Sequence, residues 1–107
     1  MTNARFLACS FAINPAEFGE VENIRWRSDA GYSEAMLDQF EASRMHHRIV
    51  LAMRKAIREQ HGTDDAYAVA SGINRTRLGR LLGGRIVMRL EDVANARRNL
   101  GVGAQQL

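Results

Sequence analysis

Between Asn74 and Arg85 the chain reads NRTRLGRLLGGR, with four arginines, an asparagine, a threonine and no acid. A guanidinium can grip the O6 and N7 of guanine, or a phosphate, with two parallel hydrogen bonds, and a threonine methyl can contact that of thymine. The chemistry within reach is therefore recognition of double-stranded DNA. Other chemistries find less support. His46 and His47 are adjacent and so point to different sides of a helix, while His61 lies about four turns further on, which is poor spacing for a metal. Cys9 is the only cysteine and sits in an apolar run, as a small buried hydrophobe would. No nucleophile elbow, phosphate loop, paired acid set or Cys-His arrangement is present, so we expect no enzyme activity, no metal and no cofactor.

The arginines need elements to hold them. Thr63 is a good N-cap, with Asp64 and Asp65 in the first turn where carboxylates complement the helix dipole. That helix runs to Ser71 and stops at Gly72, a residue that takes the left-handed conformation without penalty. Asn74 caps the next helix, Arg75 to Leu82, which Gly83-Gly84 ends. Tyr67, Ala68, Ile73, Leu78 and Leu81 form the apolar contact set between the two. With about 100° per residue and Leu78 and Leu81 turned inward, Thr76 and Arg80 point outward, Arg75 and Arg77 flank them, and Gly79 sits on the outer side. A glycine costs ~1 kcal/mol in an exposed helix, so its presence there fits a backbone that approaches a base pair closely.

The spacing of Ala68, Gly72, Leu78 and Leu81 resembles the helix-turn-helix of the phage repressor and Cro-type (XRE) family of DNA-binding regulators. The resemblance extends to the amphipathic helix before the motif and the terminal helix after it, and covers roughly residues 44–102. It implies a mainly α, five-helix repressor-like domain. By position it implies base reading by Arg75, Thr76 and Arg80, joined by Gly79 as the site of close approach, and phosphate binding by Asn74, Arg77 and Arg85. Asp64 departs from the family's neutral amide at that place and reads as a cap.

Around this core the chain divides by charge. Residues 1–43 hold three arginines against seven acids, a balance of −4, and residues 44–107 hold twelve basic residues against five acids, a balance of +7. Arginine supplies fourteen of the fifteen basic residues; this suits phosphate and guanine, and it is also what a GC-rich genome encodes. At 107 residues one domain with an appended arm is expected. In the arm, residues 6–13, FLACSFAI, and the alternating EVENIRWR of residues 20–27 both read as strands, able to pair as a β-hairpin across the Asn14-Pro15 turn. The first run is too short to span a membrane.

Ser33 opens a helix whose apolar stripe passes from Met36, Leu37 and Phe40 to Ile49, Ala52, Met53, Ala56 and Ile57, with a break expected near Ala42-Ser43. Leu90, Val93, Ala94, Arg97 and Leu100 mark a final helix closed by Gly101, and residues 103–107 read as a frayed tail.

These expectations converge on a cytoplasmic transcriptional regulator, a repressor small enough for a phage or mobile element. It would bind an inverted-repeat operator as a homodimer, with residues 6–13 and 20–26 contributing most of the interface. The alternative is an antitoxin whose acidic arm, residues 1–43, binds a toxin while the helix-turn-helix autoregulates the operon.

Overall fold

A computed structural model describes residues 6–102. The chain is mainly helical, with four α-helices among the described residues and not the five expected. Four α-helices, α1 (Glu34–Gln60), α2 (Asp64–Ser71), α3 (Arg75–Leu82) and α4 (Leu90–Leu100), follow an N-terminal segment containing two short 3-10 turns, Ala8–Phe11 and Pro15–Glu17. The tail expected over 103–107 lies outside the described residues. No helix among the described residues is long and apolar enough to cross a membrane.

The N-terminal segment departs from the expected hairpin. Ile13 N–H donates to the Arg25 carbonyl at 2.9 Å and Arg27 N–H to that of Phe11 at 2.8 Å, but the pairing amounts to a single antiparallel bridge, Ala12 to Trp26. Both neighbouring stretches tighten into 3-10 turns. Pro15 opens the second one, where its missing N–H costs nothing, and the Asn14 side chain caps it by accepting from Ala16 N–H at 3.2 Å. Most of the apolar run faces inward along this coiled path: Ala8, Cys9, Ala12, Phe18 and Ile24 are buried in one core with α1, α3 and α4, Phe11 is buried against Phe6, Tyr32 and Phe40, and Leu7 and Ile13 are exposed. The boundary drawn between residues 43 and 44 falls within α1.

Helix α1 is 27 residues long and shows no interruption at Ala42-Ser43. Ser43 is buried, and its hydroxyl donates to the Gln39 carbonyl one turn back at 2.8 Å. A serine satisfied in that way breaks nothing. The helix begins at Ser33, whose side chain accepts from Met36 N–H, and it presents Ile49, Val50, Met53, Ala56 and Ile57 to the core.

The remaining helices end where their local residues direct. Thr63 caps α2 and Gly72 terminates it at φ 77°. Asn74 caps α3 by accepting from Arg77 N–H at 3.1 Å. Gly101, at φ 76°, closes α4. Tyr67, Leu78, Leu81 and Leu82 are essentially inaccessible to solvent. Polar bonds tie α4 to the rest: Tyr67 Oη donates to Asn95 Oδ1 at 2.7 Å, and Gln60 Nε2 to the Leu100 carbonyl at 3.0 Å.

Candidate nucleic-acid interface

Three long-range attachments fix the orientation of α3. The Arg77 guanidinium forms a two-pronged ion pair with the buried Asp92 of α4; its second prong, Nη2 to Oδ2, measures 3.0 Å. At the other end His46 of α1 bonds the Leu81 carbonyl through Nε2 at 2.7 Å. Just beyond, Cys9 N–H donates to the Gly84 carbonyl at 3.1 Å. The carbonyls of the last turn of α3 accept from the N–H groups of Gly83, Gly84 and Arg85, and that of Leu81 from His46 as well, while the N-terminal segment holds the turn just beyond.

The fit at this end is close. A Cβ on Gly84 would lie 2.5 Å from a Phe18 ring carbon, and one on Gly19 would lie 2.1 Å from the Leu82 carbonyl oxygen. Both glycines have positive φ, so each is required by conformation and by space. The Phe18 ring lies between the two imidazoles, 5.2 Å from the centroid of each. His47 Nδ1 accepts from Gly19 N–H at 2.9 Å and Nε2 faces the Glu22 carbonyl at 3.3 Å. An acceptor at Nδ1 and a donor at Nε2 describe a neutral imidazole. Burial lowers the pKa of both histidines, outweighing their carbonyl bonds. Both imidazoles are thus built into the packing around Phe18 and Gly19.

The seven residues singled out for DNA take three different places. Asn74, Thr76 and Arg80 come together with Ile86, Val87 and Arg89 around an open groove of about 680 Å³. Thr76 and Arg80 are exposed, as their outward register requires. Arg85 is exposed on the turn after α3, where its N–H donates to the Arg80 carbonyl at 2.8 Å.

Arg75 and Arg77 are held by acids. Arg75 folds back along α3 so that Nε donates to Asp65 Oδ1 at 2.6 Å, with Nη2 at 3.6 Å from Asp64. Gly79 accommodates this path, since a Cβ there would lie 3.3 Å from Arg75 Nη1. Arg77 also lines the groove, but its head is committed to Asp92. That pairing raises the Arg77 pKa further. For Asp92, burial pushes upward, but the bonds from Arg77 and from Arg89 N–H outweigh it and hold the carboxyl below its ordinary value.

Arg89 was not singled out from the sequence. It belongs to the basic stretch from Arg85 to Arg89, but its position beside Thr76 and Arg80 depends on Asp92, whose Oδ2 accepts from Arg89 N–H at 2.8 Å and sets the start of α4. The groove can therefore offer two guanidinium groups that form no salt bridge among the described residues, Arg80 and Arg89, with the Thr76 hydroxyl and Asn74 amide on the same lining. No acid lines it. An electropositive groove with planar donors suits a polyanion whose edges carry acceptors. No family model, curated protein or solved structure matches the chain.

Proposed function

We propose that this protein is a sequence-specific DNA-binding transcriptional regulator of the repressor and Cro-like type, acting as a homodimer on an inverted-repeat operator. In this reading α2 and α3 are the two helices of a helix-turn-helix and α3 enters the major groove. The observation that carries it is the outward face of α3: Thr76 and Arg80 project from a rigidly anchored helix, beside Asn74 and Arg89, with no acid in the groove. Thr76 and Arg80 read base edges. Asn74, Arg85 and Arg89 contact phosphates. Gly79 leaves the helix surface low between them. Arg75 contributes to base reading by exchanging Asp65 for a base, and Arg77 acts mainly by fixing α3 against α4.

The alternative, an antitoxin, requires residues 1–43 to engage a toxin. Ala8, Cys9, Phe11, Ala12, Phe18 and Ile24 of this stretch are buried within the chain itself, which leaves Leu7, Ile13 and Val21 as its exposed large apolar side chains, and no observation favours a toxin over a second copy of the chain as what would meet them. Selection of bound sequences from a random DNA pool, followed by footprinting, tests the proposal. A two-fold dimer should select an inverted repeat with half-sites about 34 Å, or 10 base pairs, apart. Recovery of no preferred sequence would remove the regulator reading, and a single asymmetric half-site would remove the dimer.

A further inference from the structure

A second concavity lies behind the DNA-facing groove. It has a volume of about 320 Å³ and an almost wholly apolar lining, with Ala42, Met45 and Ile49 contributed by α1 and Val93 by α4. Phe6 and Ala8 of the N-terminal segment, His46 of α1 and the turn before α4 complete the wall, and two residues of that turn, Val87 and Arg89, line both this cavity and the groove beside Thr76 and Arg80. Arg89 is exposed and forms no salt bridge among the described residues, although its charge acts on nearby Asp92. The volume lies at the lower end of the roughly 300–1,000 Å³ range of small-molecule sites, which are mostly apolar with a few placed polar groups.

We propose that this cavity is an effector site for an amphipathic anion, an aliphatic carboxylate whose chain lies among Ala42, Met45, Ile49 and Val93 and whose head pairs with Arg89. The charge pattern selects this class: an apolar interior excludes a sugar or nucleotide, and a single guanidinium at the wall, with no acid among the lining residues, favours a single negative head over a neutral or cationic one. Because Arg89 and Val87 serve both concavities, the ligand withdraws a cation from the groove and reshapes the turn that flanks it. Ligand and DNA are then antagonists, each weakening the other's binding by the same factor. The regulatory consequence rests on the DNA-binding reading; occupancy of the cavity does not.

Decanoate and decan-1-ol, both below micellar concentrations, are the probes, and the full chain is the sample. Without DNA, decanoate at ten times its dissociation constant should raise the Tm by roughly 5 °C, and decan-1-ol should bind at least tenfold more weakly. With selected DNA, saturating decanoate should weaken binding by about tenfold. Ala42→Phe, placed on the exposed side of α1 to fill the mouth, should keep DNA affinity and lose both responses. Arg89→Gln should abolish the preference for the acid over the alcohol.

A chain whose Tm does not respond to decanoate overturns the site, and so does a response that survives Ala42→Phe or is equal for the two probes. A cavity already covered by a second copy of the chain would give that same negative result, together with a dimer in sedimentation. Decanoate that shifts Tm but leaves DNA affinity unchanged overturns the coupling. If the DNA-binding reading itself is wrong, the ligand-free chain selects no DNA sequence while the Tm arm still reports on the cavity.

Discussion

Helix α3 separates two polar clusters that differ in one respect. At its C-terminal end His46, His47 and the carbonyls of Leu81 and Gly84 are buried and hydrogen-bonded to one another's neighbours. On its outer face Thr76, Arg80 and the nearby Arg89 stand in an open groove with no acid among its lining residues. A buried polar group without a partner costs about 1–3 kcal/mol, so the first cluster is complete and contributes to holding the fold. The second has capacity left over. Helix α3 is thus anchored by one side and available on the other, and the two sets of residues should respond differently to substitution.

The largest expected effect lies on the anchored side. Phe18→Ala would empty the space between the two imidazoles and beneath Gly84, and should destabilise the protein by about 3–5 kcal/mol. Chemical denaturation measures it. A loss under 1 kcal/mol would mean that the N-terminal segment is not part of the core.

On the available side, Arg80→Ala should leave the denaturation midpoint unchanged while costing about 1–3 kcal/mol per half-site on the selected DNA and relaxing preference at one base pair. Arg85→Ala should instead weaken selected and scrambled DNA alike, and reduce the slope of log affinity against log salt by about one unit. Equal weakening of both DNAs by Arg80→Ala would show α3 to be docked in another register.

A titration sharpens the contrast further. The histidines have folded pKa values below the ordinary 6.5, so the unfolded chain takes up protons first. Stability should be constant above pH 6.5 and fall as the pH drops below it, by at most about 1.4 kcal/mol per pH unit for each histidine, until the folded values are reached. His47→Gln should flatten that slope. Asp92 works in the opposite range: its lowered pKa stabilises the fold above the ordinary carboxyl value and loses that contribution only in stronger acid.

The smallest effect concerns Gly79. Its added Cβ would meet only the far end of the exposed Arg75 side chain at 3.3 Å, which can move. Gly79→Ala should therefore stabilise α3 by about 0.5–1 kcal/mol and weaken binding to the selected DNA. If affinity is unchanged, Gly79 makes room for Arg75 and not for a base pair.

What the sequence determined by itself was the set of local decisions. Thr63, Gly72, Asn74 and Gly101 begin or end helices through contacts within three or four residues, and the outward register of Thr76 and Arg80 follows from Leu78 and Leu81 on the same helix. The mainly helical class follows from the same signals. The N-terminal segment escaped this logic, because a short apolar run such as residues 6–13 has no periodicity to separate a strand from a coiled path, and its conformation follows from what it packs against. Only the tertiary structure decided the fate of individual side chains: Arg77 meets Asp92 fifteen residues away, and His46 meets the Leu81 carbonyl thirty-five residues away. Arg89 joins the groove because Asp92 sets the start of α4. Two arginines on one helix face look alike in sequence, and an acid brought in from another helix makes one a structural pin and leaves the other open to a ligand.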